Sequence, residues 1–136
     1  MSGPAGAIEL FHGYTYSAHP IACAAGLATQ RIYRGERLFE RARALAPYWS
    51  DAVHALKGRK NVVDLRAYGL VAGVELTPRA GAPGSRGYDA MVAAFNAGLL
   101  IRITGDTIAM SPPLTVERKD VDRIFETLAG IIDRLD

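Results

Sequence analysis

The stretch LLIRITGDTIAMSPPL, residues 99–114, decides the fold. It contains two short apolar runs, Leu99–Ile103 and Thr107–Met110, which are typical of strands. Between them stands Thr104-Gly105-Asp106, a set of residue types that form tight turns. The stretch therefore predicts an antiparallel hairpin, and Ser111–Leu114 beyond it is expected to be extended because it holds two prolines.

Two further strands and four helices are predicted around this hairpin. The apolar runs Val62–Arg66 and Leu70–Leu76 favour strands joined around Tyr68-Gly69. Helices are expected at residues 20–33, 36–56, 88–97 and from Thr115, as N-cap, onward. This order of elements predicts an α+β fold, in which a mixed or antiparallel sheet carries helices on one face.

Two of the helices are predicted to bury one apolar face each. In the second helix the apolar residues recur at steps of four and three: Leu38, Ala42, Leu45, Trp49, Ala52 and Leu56. Pro47 falls inside that pattern and predicts a kink or a break, because proline lacks an N–H donor and clashes with the preceding turn. The last helix is expected to bury Val121, Ile124, Phe125, Leu128, Ile131, Ile132 and Leu135.

Composition limits the classes of function. The 136 residues fit one globular domain, with 49% hydrophobic and 22% charged residues. The net charge of +2 arises from interspersed basic and acidic residues, without the basic block of a nucleic-acid-binding surface. No apolar run is long enough to span a bilayer. The single cysteine, Cys23, suits a reducing compartment and is expected to be an inert, buried thiol. We therefore expect a cytoplasmic protein that binds neither nucleic acid nor membranes.

A second informative stretch is FHGYTYSAHPIACAAG, residues 11–26. Its hydroxyl-rich loop precedes an alanine-rich helix that has Pro20 in its first turn. Free backbone N–H groups and the positive end of the helix dipole make such a start a ready anion site. The residues alone nevertheless favour the plainer interpretation, an ordinary Ser/Thr cap. His12 and His19 do not have the spacing of a helical ligand pair, and no carboxylate or cysteine completes a zinc site, so we predict no metal site.

Three motifs resemble those of a known family: the loop at 12–20, GLVAGVEL at 69–76 and LIRITGDTIAMSPPL at 100–114. They resemble class III, pyridoxal-phosphate-dependent aminotransferases, and more narrowly the omega-amino-acid:pyruvate (beta-alanine:pyruvate) transaminases. The resemblance covers almost the whole chain and implies the C-terminal portion of a fold-type-I enzyme. Residues 1–35 would be a remnant of the large cofactor-binding domain, and residues 36–136 the small C-terminal domain with its leading long helix.

The resemblance implies roles for three residues. Tyr14 and Thr15 correspond to residues that reach the pyridoxal phosphate of the neighbouring subunit at its phosphate, which implies a homodimer or a higher oligomer. Arg102 corresponds to the arginine that recognises the substrate carboxylate. Without the resemblance, the favoured interpretation of Arg102 is a strand arginine that points to solvent or pairs with Asp106 across the turn. Asp106 and Thr104 are interpreted as turn-formers.

The chain has only three lysines, Lys57, Lys60 and Lys119, and all three are expected to be solvated surface residues. In the family the cofactor is held covalently on a lysine upstream of the loop at 12–20, so we expect no catalytic residue in this chain. Two hypotheses stay open. The chain is a fragment of an aminotransferase that uses an omega-amino acid or amine and pyruvate and is inactive alone, or it is a free-standing, non-catalytic α+β module that binds a partner or a small carboxylate.

Overall fold

The computed structural model describes residues 14–136. The chain divides into two compact units, residues 1–36 and residues 37–136. The first residues of the hydroxyl-rich loop, His12 among them, lie outside the described residues.

A turn and one helix make up the described part of the first unit. In the turn, the Ser17 N–H donates to the Tyr14 carbonyl at 2.9 Å. Helix α1 (Pro20–Gly35) follows with proline at its start, as predicted. None of the residues of α1 is buried, and the thiol of Cys23 is exposed. The expectation of a buried thiol is wrong for this chain, because the alanine-rich face of α1 is uncovered.

The second unit begins with helix α2 (Leu38–His54), whose N-cap Arg37 has a left-handed backbone with φ of 51°. The sequence predicts a kink or a break at Pro47, and the helix continues through this residue without a break. Proline costs about 3 kcal/mol inside a helix, but Pro47 is exposed and buried residues anchor α2 on both sides of it. These anchors are Leu38 before the proline and Trp49 and Val53 after it.

Four strands form one sheet in the order β1-β2-β4-β3, and every neighbouring pair is antiparallel. The strands are β1 (Val62–Tyr68), β2 (Val71–Leu76), β3 (Arg102–Thr104) and β4 (Thr107–Met110). The predicted hairpin is confirmed, with Gly105 and Asp106 as its two-residue turn between β3 and β4. The sheet is antiparallel throughout, which settles the alternative that the sequence left open.

Helix α3 (Ser85–Asn96) begins three residues before the predicted start. It ends in a turn around Gly98, which has a positive φ of 78°, as its position after the helix predicts. The Leu99 N–H donates to the Ala94 carbonyl at 2.8 Å and thereby completes this helix end. The sequence predicts that β3 starts at Leu99. Because Leu99 belongs to the helix end, the strand instead starts at Arg102.

Helix α4 (Arg118–Arg134) is capped by Glu117, and the prediction of Thr115 as N-cap is wrong. Glu117 and Asp120 form a reciprocal capping box, in which the Asp120 carboxylate accepts the Glu117 N–H at 3.0 Å. Val116 before the cap and Val121 inside the helix are both buried, at the two positions of a hydrophobic staple. Together these contacts place the N-cap two residues beyond Thr115.

Helices α2, α3 and α4 cover one face of the sheet and enclose a single apolar core. Trp49 of α2 and Phe125 of α4 meet edge to face, with ring centroids 5.0 Å apart. Of the stripe predicted for α2, Trp49 and Leu56 are buried in this core, Ala42, Leu45 and Ala52 are half-buried against it, and Leu38 is buried outside it. The face predicted for α4 is buried in the core except for Ile124, which is half-buried. The predicted α+β architecture with helices on one face is confirmed.

We predict that residues 37–136 fold without residues 1–36, because the buried core lies entirely in the second unit. Urea unfolding followed by Trp49 fluorescence should be cooperative, and its midpoint should equal that of the 136-residue chain. The longer chain should in addition self-associate, because α1 exposes the apolar side chains of Ile21, Leu27 and Ile32.

Sedimentation of both chains at several concentrations separates the two effects. We expect concentration-dependent association for residues 1–136 and a monomer for residues 37–136. A markedly lower urea midpoint for the shorter chain would show that the first unit stabilises the core, contrary to this prediction.

Candidate functional site

The face of the sheet opposite the helices carries a cross-strand row of four residues. Arg102 pairs with Ala109, Ala109 with Gly73, and Gly73 with Arg66. Successive side chains of a strand point to opposite faces, and the buried residues of β2 and β4 alternate with these positions. The row therefore lies on the uncovered face, with an arginine at each end and two small residues between them.

Only one of these two arginines is neutralised by acidic neighbours. The Arg66 guanidinium forms ion pairs with Asp64 and with Glu75, the latter at 2.8 Å. The hydrogen bond to Glu75, aided by Asp64, raises the pKa of Arg66 despite its partial desolvation. Arg102 is exposed and has no hydrogen bond or ion pair within residues 14–136. Its charge is therefore available to a ligand.

The alternative in which Arg102 pairs with Asp106 across the turn is excluded. The two carboxylate oxygens of Asp106 accept the backbone N–H groups of Gly84 at 2.6 Å and of Gly87 at 2.9 Å. Asp106 is also buried, with 8% of its surface exposed, whereas Arg102 is exposed. Asp106 is a turn residue, as predicted, but its side chain anchors the turn to α3 and does not reach the arginine.

An apolar groove of about 490 Å³ lies beside Arg102. Arg102 contributes to its lining together with Leu99, Ile101, Met110 and Pro113. The segment that leads into β3, the end of β4 and residues 111–113 after it form this groove, together with Trp49 of α2 and Ile124 of α4. An unpaired guanidinium next to apolar surface suits a ligand that has a carboxylate and a hydrocarbon part.

Tyr14 and Thr15 belong to the first unit, and both are exposed. They precede the start of α1, where no side chain caps the helix and His19 occupies the N-cap position. The Ser/Thr cap that the residues alone favour is thus not formed. An uncapped helix start next to hydroxyl side chains has the donors that a phosphate requires.

The prediction that all three lysines lie at the surface is confirmed. Lys119 forms an ion pair with Glu117 at 2.8 Å, and this hydrogen bond raises the pKa of Lys119. A lysine that acts as a nucleophile needs the opposite shift, which burial or a cationic neighbour supplies. Lys57 and Lys60 are exposed on the turn between α2 and β1. None of the three has the setting of a lysine that holds a carbonyl cofactor.

Within residues 14–136 no three His, Cys, Asp or Glu side chains come close enough together to hold a metal ion. The helices of this part of the chain are too short or too polar to cross a membrane.

Sequence reasoning missed two features that shape the surroundings of Arg102. Gly84 and Gly87 were expected in a loop, but both lie at the start of α3 and donate to Asp106. Arg86 between them is buried and donates from Nε to the Asp136 carbonyl at 2.8 Å. The available signal was the spacing of the two glycines, which places both of their N–H groups in the first turn of a helix.

Known proteins resemble this chain in sequence. It matches the model of the class III aminotransferase family over residues 2–132. It is 54% identical over 136 residues to the omega-aminotransferase of Caulobacter vibrioides, and the match covers all of this chain and 31% of that protein. It is 39% identical over 132 residues to the omega-amino acid–pyruvate aminotransferase of Pseudomonas putida, covering 97% of this chain and 29% of that protein.

Solved transaminase structures share the fold. A thermostable omega transaminase from Pseudomonas jessenii matches 91% of this chain with a TM-score of 0.83 and 32% identity, over 29% of its own length. A transaminase with L-alanine matches the same share with a TM-score of 0.84 and 30% identity, over 31% of its length. The chain thus spans less than a third of these relatives.

The family resemblance inferred from the three motifs is confirmed by these matches, because the family match extends over almost the entire sequence. The fold agrees with it, since solved transaminases share both the helices and the antiparallel sheet. The chain belongs to the class III aminotransferase family.

Proposed function

We propose that this chain is the C-terminal part of an omega-amino-acid/amine:pyruvate aminotransferase, and that Arg102 recognises the substrate carboxylate. The observation that carries the proposal is the unpaired, exposed guanidinium of Arg102 beside an apolar groove. Relatives named for omega-amino acid–pyruvate and beta-alanine–pyruvate transfer support the substrate class. In this proposal residues 1–35 belong to the large domain and residues 36–136 form the small domain.

Arg102 would bind the carboxylate through two parallel N–H···O contacts. A guanidinium presents a planar fork that matches a carboxylate, whereas a lysine ammonium is a point charge. The apolar groove would exclude water from this contact and strengthen it. The same arrangement orients the substrate, because a bidentate contact fixes the direction of the chain that leads to the amino group.

The cofactor implied by the family is pyridoxal phosphate, which supplies an electron sink when it is bound. Tyr14 and Thr15, together with the uncapped start of α1, would hold its phosphate in the neighbouring subunit of a homodimer or higher oligomer. Lys57, Lys60 and Lys119 do not fit the ring end of the cofactor, since all three lie at the surface. The chain therefore fits the phosphate end of the cofactor only, and we propose that it is inactive alone. Its single cysteine further supports a cytoplasmic protein.

The second candidate function is a free-standing, non-catalytic module that binds a partner or a small carboxylate. The observation in its favour is the complete apolar core of residues 37–136. Against it stands the uncovered apolar side of α1, which a free-standing protein would expose to solvent. Both candidates share Arg102 as the carboxylate-binding residue, and they differ in whether catalysis appears when the rest of the family's chain is present.

We predict that the isolated chain forms no specific covalent adduct with pyridoxal phosphate. The reason is that its three lysines are exposed, and Lys119 has a raised pKa because of its hydrogen bond to Glu117. Incubation with the cofactor, reduction with borohydride and mass spectrometry should show only scattered, substoichiometric labelling. A single stoichiometric lysine adduct that an amine substrate displaces would contradict the proposal.

We also predict that Arg102→Leu acts on one substrate class when the rest of the aminotransferase chain is present. Half-reactions with beta-alanine or pyruvate should lose on the order of 2–5 kcal/mol of transition-state stabilisation, because a desolvated charge partner is removed. Half-reactions with uncharged amines should change much less, since such amines never use the guanidinium. Arg102→Lys should recover only part of the loss, because an ammonium lacks the planar fork.

Arg66→Leu is the matched control, because it removes the other arginine of the same cross-strand row. Arg66 is already paired with Asp64 and Glu75, so its loss should not separate the two substrate classes. Equal losses of Arg102→Leu with both classes would show that Arg102 is a structural strand residue.

A further inference from the structure

The turn of the β3–β4 hairpin is joined to the start of α3 and to β2 through one residue. Both carboxylate oxygens of Asp106 accept helix N–H groups, from Gly84 at 2.6 Å and from Gly87 at 2.9 Å. The main-chain carbonyl of Asp106 accepts the Leu76 N–H of β2 at 3.0 Å. These three hydrogen bonds attach the turn to the start of α3 and to β2.

The contact between turn and helix is closer than a side chain would allow. A Cβ atom on Gly87 would lie 2.2 Å from the Gly105 carbonyl oxygen and 3.0 Å from the Asp106 Cα. Both atoms belong to the backbone, so they can yield only if the turn itself moves. Gly87 is therefore required for the close approach of α3 to the turn. We call this arrangement of Gly84, Gly87, Gly105 and Asp106 the hairpin joint.

The strand that carries Arg102 pairs with one other strand and contacts helix α3. Strand β3 contains three residues, lies at the edge of the sheet and pairs only with β4. Arg102 stands four positions before Asp106 on the same hairpin, and its backbone is held by pairing with Ala109. We therefore expect a displacement of the turn to shift Arg102 as well, because within the described residues no second strand pairs with the outer edge of β3.

We propose that Asp106 and Gly87 are positioning residues for Arg102: the hairpin joint fixes the strand so that the guanidinium meets the substrate carboxylate in bidentate geometry. This inference rests on the proposed function of Arg102. A bidentate contact is sensitive to position, and a misplacement of about 1 Å can reduce a reaction rate by about a hundredfold. The joint lies outside the contact itself, so neither residue touches the substrate.

The charge state of Asp106 agrees with this role. Burial alone would raise the pKa of Asp106, but hydrogen bonds from the Gly84 and Gly87 backbone and the charge of Arg86 together lower it. The carboxyl group therefore stays ionised at neutral pH, and both of its oxygens remain acceptors. An asparagine amide at this position has only one acceptor oxygen. Its NH2 group would face one of the two backbone N–H groups, and two donors cannot form a hydrogen bond with each other.

Two substitutions loosen the joint from opposite sides, and each has a matched control elsewhere in the fold. Asp106→Asn keeps the side-chain volume and one acceptor, and Asp120→Asn makes the same change in the capping box of α4. Gly87→Ala inserts a methyl group into the joint. Gly130→Ala makes the same change in α4, where the nearest atom is a flexible arginine end at 3.5 Å. Alanine favours a helix over glycine, and the added methyl group meets the backbone of the turn at position 87 but only a flexible side chain at position 130.

The variants are tested in the full-length aminotransferase that carries this segment, in single-turnover half-reactions with beta-alanine and with propylamine. We expect Asp106→Asn and Gly87→Ala to raise the half-saturating beta-alanine concentration about ten- to a hundredfold, with less than about a twofold change for propylamine. Asp120→Asn and Gly130→Ala should leave both substrates unchanged. In an Arg102→Leu background, Asp106→Asn should add no further loss that is selective for beta-alanine, because it acts through Arg102.

Thermal unfolding checks that each variant is folded, and Asp106→Asn carries the test if Gly87→Ala is not. If the joint variants lose equal activity with beta-alanine and with propylamine, the joint has a general structural role and the inference is wrong. The inference is also wrong if both joint variants behave like the wild type. Arg102→Leu separates this inference from the proposed function. If Arg102→Leu is selective for beta-alanine and the joint variants are not, only the present inference fails. If Arg102→Leu impairs beta-alanine and the uncharged amine equally, the proposed function is wrong, and this inference, which depends on it, is wrong as well.

Discussion

Within residues 37–136 the antiparallel sheet is covered by helices on one face only, and the position of Arg102 depends on this constraint. Because strand side chains alternate, the cover by α2, α3 and α4 assigns every strand residue either to the core or to the open face. Val74 and Ile108 lie in the core and stabilise the fold, whereas Arg66 and Arg102 lie on the open face. A shift of one residue in register would bury Arg102 without a partner, so the packing of the core also specifies which charge faces the solvent.

The sequence predicts the parts of this fold that depend on local pattern. The hairpin follows from two apolar runs around Gly105 and Asp106, and the buried face of α4 follows from helical spacing. The errors arise where a non-local contact overrides a local signal. Thr115 is a good capping residue, but the buried Val116 and the Glu117–Asp120 box start the helix later. Pro47 favours a kink or a break of α2, yet the helix continues through it, with buried residues on both sides.

The candidate site is predictable only in part, and the prediction depends on a family motif and not on local pattern. Arg102 was identified through its motif, since the residues alone favour a solvent-facing arginine or a pair with Asp106. The structure removes that pair because the Asp106 carboxylate is held by Gly84 and Gly87, twenty-two and nineteen positions earlier. No local sequence pattern predicts this contact, because the Asp106 carboxylate binds backbone N–H groups of a segment that is expected to be a loop. The exposed Cys23 has a related cause, because burial of α1 depends on what covers it and not on its own alanines.

The central claim is that Arg102 presents its guanidinium to the substrate carboxylate. The most direct measurement is a crystal structure of the full-length aminotransferase that carries this segment, in complex with propionate, which has the carboxylate of beta-alanine but no amino group. We expect both propionate oxygens within about 3 Å of the Arg102 guanidinium nitrogens, with the hydrocarbon chain next to the groove that Ile101 and Met110 line. Propionate bound to a different cation, with Arg102 directed to solvent, would contradict it.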